Sequence, residues 1–297
     1  MKQQLFKQQI NELSRETYSM FKNLIYRETG ISMGDNKRIL VSNRLRKRLL
    51  TLGLTSYEEY YNFLVKKGYE SNEIVRFIDA VSTNETYFYR GDNQFQALEE
   101  IIFPELFKKR KKISIWSAGC STGEEPYTIQ MVFSKTSDKY DWRGYNEIYA
   151  TDLSNEVIEK AKRAVYSGRT LNLLPDEFKT KYFDMIDDDV YRVKEEIRKK
   201  VVFKSHNLLK QSPPHSQFDI IFCRNVMIYF DRETQKYLVD NVFARVLTKD
   251  GYLFIGHSES LIGKSENFQY AHIMRSPIYK LKDINRKRGE NDKGNDC

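Results

Sequence analysis

The chain has 297 residues, enough for a full core and two domains, and its 40% hydrophobic and 13% aromatic content is that of a globular protein. It contains no apolar run long enough for a membrane helix, and polar residues 1–10 lack an export signal, so a cytoplasmic setting is expected. A net charge of +8 points to acidic partners, whereas Cys120, Cys223 and Cys297 lie too far apart for a C-x-x-C motif and four scattered histidines have no metal-ligand spacing.

Residues 1–82 read as a small helical unit punctuated by Gly30, Gly53 and Gly68. Ser14 is placed to start a helix whose Tyr18, Phe21, Leu24 and Ile25 share one face. Leu45, Leu49 and Leu52 mark the inner face of a helix ending at Gly53, and Thr55 with Glu58 has the spacing of a capping box before another. Between them, Lys37, Arg38, Arg44, Arg46, Lys47 and Arg48 fall in twelve residues without an acid, and helical spacing puts Lys37, Arg44 and Arg48 on one face. Such a run is either an ordinary solvated face or, since no glutamate at i−4 relieves its repulsion, a docking surface for an acidic partner.

Residues 83–91 form a linker. Its segment Asn84-Glu85-Thr86-Tyr87-Phe88-Tyr89-Arg90 mixes hydrogen-bonding groups, aromatics and a guanidinium without helical periodicity. The aromatics could cement two domains with Arg90 a surface cation, or Arg90 could sit in a junction site and hold an anion bidentately.

From residue 92 to 282 the pattern is α/β. A helix from Asp92 uses Phe95, Leu98, Ile102 and Leu106, and strands are expected near 113–117, 147–151, 201–205, 218–223 and 251–256, giving a largely parallel sheet with helical crossovers. The stretch 171–200 interrupts the alternation and reads as an inserted antiparallel element; residues 283–297 lack apolar periodicity and read as a frayed tail.

The first strand runs into Ser117-Ala118-Gly119-Cys120-Ser121-Thr122-Gly123-Glu124-Glu125-Pro126. Gly119 and Gly123 allow backbone to approach a ligand closely at the strand's carboxyl end. Their G-x-x-x-G spacing is neither a pyrophosphate fingerprint nor a Walker loop, and Glu124-Glu125 would repel phosphates while accepting hydrogen bonds from an amino group or a ribose. The next strand ends in Asp152, well placed to chelate a ribose diol, although it could also cap the helix starting near Asn155. An acidic loop suits a cationic nucleoside, and S-adenosylmethionine is the cofactor this pattern favours, with S-adenosylhomocysteine as product. Further on, the buried run Phe218–Cys223 stops abruptly at Arg224-Asn225, polar residues at a strand's carboxyl end; Tyr229 is a core aromatic or a substrate-facing hydroxyl, and sequence alone favours the core.

Taken together, Asn84-Glu85-Thr86-x-Phe88-x-Arg90, the loop from Ser117 to Tyr127, Thr151-Asp152, the stretch from Phe222 to Asp231 and Gly256-His257-Ser258-Glu259-Ser260 resemble the CheR family, the chemotaxis receptor glutamate O-methyltransferases. The likeness spans about residues 15 to 281. It implies an N-terminal all-α domain joined to a Rossmann-like S-adenosylmethionine-dependent methyltransferase domain that carries a small antiparallel β-subdomain. Asn84, Thr86, Arg90, Glu125 (or its neighbour Glu124), Asp152, Asn207, Leu208, Arg224 and Asn225 would contact the cofactor, and Arg90 and Tyr229 would lie nearest the transferred methyl. The substrate would be glutamates on the cytoplasmic helical bundle of chemotaxis receptors, and the basic face from Lys37 to Arg48 a receptor-docking surface. One departure stands out. Members that tether to a receptor's C-terminal pentapeptide look to carry a glycine-containing loop in the β-subdomain, where this chain has Asp184-Met185-Ile186-Asp187-Asp188-Asp189, so docking without a tether is expected. A nucleic-acid methyltransferase is the rival that the charge invites, but Cys223-Arg224-Asn225-Val226 is not the Asn/Asp-Pro-Pro-aromatic motif of amino-methylating DNA enzymes. A non-catalytic cofactor-binding signalling module is the other. No spare apolar stripe suggests an oligomer, so a monomer is expected.

Overall fold

In the computed structural model, which describes residues 10–282, four helices form the N-terminal unit. Helix α1, Arg15–Thr29, begins where Ser14 Oγ accepts the Thr17 N–H, and Tyr18, Phe21, Leu24 and Ile25 are all buried. Helix α2, Arg38–Leu52, buries Val41, Leu45 and Leu49 and leaves Leu52 half-buried before Gly53. Helix α3, Tyr57–Lys67, is capped one residue later than the sequence suggests: Ser56 and Glu59 make the reciprocal capping box. Glu58 is engaged elsewhere, accepting a 2.5 Å hydrogen bond from Thr17 Oγ1 across the bundle. Helix α4, Glu73–Val81, closes the unit, whose centre is the ring cluster of Phe21, Tyr60 and Phe77.

The structure redistributes the basic stretch. Arg48 donates two 2.8 Å hydrogen bonds to Glu73, a fully buried carboxylate that also accepts from Tyr60 Oη at 3.0 Å. Arg44 donates to the Val81 carbonyl at 2.6 Å and to Thr83 Oγ1 at 2.9 Å, and Arg38 reaches the Leu13 carbonyl. α4 supplies Arg48 with the acid missing from the local sequence, and Arg44 and Arg38 go to backbone carbonyls, so these three cations brace their own unit. Lys37 and Lys47 are exposed and Arg46 half-buried. Helical spacing alone cannot separate a guanidinium that turns back to a neighbouring helix from one that faces solvent, because the long side chain reaches either.

The remainder is a doubly wound α/β domain. Helix α5 runs from Asp92–Ala97 through a π turn at Leu98–Ile102 into Phe103–Lys109, burying Phe95, Leu98, Ile102 and Leu106 as expected. Strands β1 (Lys112–Ala118) and β2 (Tyr145–Asp152) are separated by helix α6 (Glu124–Lys139), and helix α7 (Asn155–Arg163) follows β2. Ile113 and Ile115 of β1 pack into one core, Trp116 and Ala118 into the other, which is why this strand is apolar on both faces. A small antiparallel sheet of β3 (Val165–Ser167), β4 (Phe183–Asp187) and β5 (Val190–Val193) comes next. It starts at residue 165 rather than 171, because Ala164 takes a left-handed turn (φ 54°) off α7 and Val165–Ser167 pair with β5. Strands β6 (Val201–Ser205), β7 (Phe218–Cys223), β8 (Leu247–Ile255), β9 (Phe268–Tyr270) and β10 (Ile278–Leu281) complete a seven-stranded sheet of order β6-β2-β1-β7-β8-β10-β9. Its first five strands in that order are parallel, β10 runs antiparallel to β8, and β9 antiparallel to β10. The tail at 283–297 lies outside the described residues.

Candidate active site

The chain leaves β1 toward β2 on one flank and returns to β1's other flank as β7, and ligands gather beyond the carboxyl ends of strands at such a reversal. A cavity of about 350 Å³ opens there. Asn84, Thr86, Arg90, Gly119, Glu125, Asp152, Asn207, Leu208, Arg224, Asn225 and Tyr229 all line it, although the linker, three strand ends and a later loop supply them.

The glycine loop is tied down by backbone. Gly119 and Cys120 both donate to the Thr151 carbonyl, at 2.8 and 2.9 Å, which draws the end of β1 against the end of β2. At Gly119, φ is 98° and a Cβ would stand 2.3 Å from Val226 Cγ2, so bare backbone forms the cavity wall there. Asp152 accepts N–H bonds from Ser121 at 2.9 Å and from Ser154 at 3.0 Å. It is not the helix cap: that is Ser154, whose hydroxyl accepts from Val157. Burial pushes the Asp152 carboxyl above the usual carboxylate range, against the opposing pull of its N–H donors.

Of the two adjacent glutamates, Glu125 faces the cavity. Glu124 is buried away from it, accepting from Thr122 Oγ1 at 2.7 and 2.9 Å. Glu125 receives Ser117 Oγ at 2.7 Å and Arg224 Nη1 at 3.2 Å, and Arg224 Nη2 donates to the Arg90 carbonyl. Burial raises the Glu125 carboxyl, with Arg224 the main opposing influence. Arg224 is only 3% exposed in its side chain and lies 5.4 Å from the Phe95 ring centroid, so the end of β7 delivers a buried cation that holds linker and loop together.

The linker divides its labour by residue. Phe88 is fully buried, edge-on to Tyr166 and Phe183, and its N–H reaches the Thr170 carbonyl. Asn84, Thr86, Tyr87 and Arg90 face the cavity. Arg90 donates to the Glu85 carbonyl at 3.1 Å and its guanidinium lies 5.5 Å from the centroid of the Tyr87 ring. Phe88 therefore anchors the linker to the small sheet and does not join the two domains, while Arg90 borders the cavity. Tyr229 is half-buried on the cavity wall, which overturns its sequence-based placement in the core.

The N-terminal unit supplies a wall that the sequence did not signal: Thr29, Ile31, Met33, Val81 and Ser82. Its contacts with the loops of the α/β domain explain the arrangement. Ser32 N–H donates to the Tyr229 carbonyl at 2.8 Å, Ile31 bridges Phe230, and Tyr26 Oη donates to Asp231 at 2.8 Å. Nearby, Lys210 pairs with Glu28 at 2.9 Å, and Asn207 spends its amide on the Glu28 carbonyl at 2.9 Å. Asn207 thus borders the cavity while its side chain pins the domains together.

These features fit the expected cofactor. The buried Asp152 and half-buried Glu125 carboxylates suit a ribose diol and an amino group, the bare backbone at Gly119 allows close approach, and Leu153 and Leu208 offer apolar surface to a base. Comparison with known proteins agrees. Residues 84–276 match the CheR methyltransferase, SAM binding domain family, and residues 16–82 the CheR methyltransferase, all-alpha domain family. A chemotaxis protein methyltransferase of Borreliella burgdorferi is 39% identical over 264 residues, covering 87% of this chain and 92% of that protein. One of Escherichia coli is 38% identical, covering 84% and 85%, and one of Vibrio parahaemolyticus 34% identical, covering 91% and 98%. With both family matches in the expected order and relatives aligned along most of their length, this chain belongs to the CheR family of S-adenosylmethionine-dependent methyltransferases.

Proposed function

We propose that the enzyme methylates glutamate side chains on the cytoplasmic helical bundle of chemotaxis receptors, producing glutamate methyl esters. The observation that carries this reading is the placement of Arg90 and Tyr229 on the same cavity as Asp152 and Glu125. In this reading Asp152 and Glu125 hold the donor through its ribose and amino groups, aided by Asn84, Thr86, Leu208, Arg224 and Asn225. When bound, the donor supplies a sulfonium methyl. A glutamate acceptor is already ionised at neutral pH, with an ordinary pKa of about 4.3, so no general base is needed. Arg90 and Tyr229 orient the acceptor carboxylate, a positioning task worth several kcal/mol. Binding it more tightly in the ground state than in the transition state would cancel that gain, so one guanidinium and one hydroxyl suffice. Transfer of labelled methyl to receptor-containing membranes, followed by mild alkali, tests the reaction: volatile methanol is expected. Alkali-stable label, or label appearing only with nucleic acid, would overturn it.

Cofactor affinity should depend on pH. The Asp152 and Glu125 carboxyls are raised by burial, so the folded protein binds their protons more tightly than the unfolded chain does. Their contribution to stability is therefore full at low pH and falls as pH rises from the ordinary carboxylate range through the raised folded values, then levels. Binding a cation favours the ionised forms. S-adenosylmethionine affinity is expected to weaken as pH falls through the raised carboxyl values toward the ordinary carboxylate range, with proton release on binding, and S-adenosylhomocysteine, which lacks the sulfonium charge, should show a shallower dependence. Calorimetry in buffers of different ionisation enthalpy measures both, and equal pH slopes for the two ligands would contradict it.

Receptor docking is assigned to the exposed cations of α2 and its approach. The double reversal Lys37→Glu with Lys47→Glu is expected to raise KM for receptor about tenfold, more at low salt, with S-adenosylhomocysteine Kd unchanged. Arg48→Ala is the wrong probe, because it strands the buried Glu73 charge. The acidic β4–β5 turn supports docking without a tether, so the same preparation should show no binding to an isolated receptor-tail pentapeptide.

A further inference from the structure

The Gly256-His257-Ser258-Glu259-Ser260 stretch is not used by the contacts described so far. Glu259, just past the end of β8, is 9% exposed. Its carboxylate accepts three backbone N–H groups: Gly256 at 2.5 Å and Asn225 at 3.0 Å on Oε2, and Ile228 at 3.1 Å on Oε1. Two of these donors belong to the loop 224–230, which carries Arg224, Asn225 and Tyr229. Asn225 stands at φ 58°, a left-handed conformation in which non-glycine residues are uncommon, so the path of this loop needs outside support. At Gly256 a Cβ would meet Glu259 Oε2 at 2.8 Å and Asn225 N at 3.0 Å, so the absence of a side chain there lets strand end and loop close on the carboxylate. The far end of the loop has separate anchors: Gln235 Nε2 donates to the Met227 and Phe230 carbonyls at 2.9 Å, and Ser32 N–H to the Tyr229 carbonyl.

We propose that Glu259 is a positioning residue for methyl transfer, its carboxylate holding the loop 224–230 so that Asn225 and Tyr229 face the cavity together. Charge-assisted bonds to three amides replace the partners that an irregular loop otherwise lacks. The proposal rests on the reading that this cavity transfers methyl to glutamate. The discriminating variant is Glu259→Gln, which keeps the shape: whichever way its amide turns, its NH2 group faces at least one backbone N–H. Hydrogen–deuterium exchange of the Asn225 and Ile228 amides is expected to quicken at least about tenfold. kcat per S-adenosylhomocysteine-binding site should fall about 30-fold, as for a small misplacement of reacting groups, while S-adenosylhomocysteine Kd changes by less than about fivefold: of the cofactor contacts only Asn225 loses support, Arg224 keeps its own bonds to Glu125 and the Arg90 carbonyl, and Asp152 and the glycine loop are untouched. Glu259→Asp, which keeps both acceptor oxygens, should recover part of kcat. Counting per binding site removes any effect of lower folded yield. A Glu259→Gln enzyme within about threefold of wild-type kcat per site, or one that loses kcat with amide exchange unchanged, overturns the proposal. If wild type itself transfers no methyl to receptor glutamates, the substrate assignment fails, and the exchange measurement still decides whether Glu259 holds the loop.

Discussion

Arg90→Ala is expected to lower kcat for receptor methylation roughly 100-fold or more while leaving the fold intact, since one preorganised charged donor at a reacting centre is worth about that much. The structural reason for expecting a clean effect is that the Arg90 side chain spends little on the fold. Its guanidinium makes one hydrogen bond, to the Glu85 carbonyl, and stacks near Tyr87, whereas it is the Arg90 backbone carbonyl that receives Arg224. Alanine keeps that carbonyl. Stopped-time methyl transfer with a parallel thermal melt measures it; near-normal turnover in a folded variant would remove Arg90 from the mechanism. Arg90→Lys should recover little, because an ammonium on a flexible stem cannot present the planar fork that aligns a carboxylate.

Arg224→Leu should have the largest effect on stability. It leaves the Glu125 carboxylate buried without its cation and the Arg90 carbonyl without its donor, and breaking a buried pair from one side costs about 3–5 kcal/mol. The expected loss of melting temperature is on the order of 10 °C for a protein of this size. The double variant Arg224→Leu with Glu125→Leu should regain much of that stability, since replacing both charges removes the stranded one, yet it should not regain cofactor binding. Melts of the two variants and of wild type, each with and without S-adenosylhomocysteine, separate the two roles. Equal stability of the single and double variants would show that the pair carries no stranded-charge penalty.

Much of the α/β domain was legible because its signals are local and repeated. Both-face apolar runs marked the buried parallel strands, helical spacing marked α1 and α5, and the glycine pattern after β1 marked the ligand loop. The misreadings share a cause. The capping box falls one residue later because Glu58 has a partner on α1; the small sheet begins earlier because β3 is short and pairs only with a distant strand; for Tyr229 the apolar neighbours favour the core over the substrate-facing alternative, whereas the 3-10 turn at Met227–Tyr229 leaves it half-buried on the cavity wall.

The sequence by itself determined the cofactor class and marked two segments that line the cavity, since the acidic glycine loop and Asp152 sit next to strands that their own composition places at the sheet centre. The motif resemblance added Arg90 and Tyr229, which composition and periodicity left ambiguous. Only the tertiary structure decided which cations of the basic stretch stay outward, which glutamate meets Arg224, and that Thr29, Ile31 and Met33 wall the cavity. Those outcomes depend on partners more than twenty residues away in the chain: Arg48 with Glu73, Arg224 with Glu125, Ser32 with Tyr229. Local propensity carries no information about such pairs, because a long charged side chain or a free backbone amide is satisfied by whatever the packed fold brings within hydrogen-bond reach.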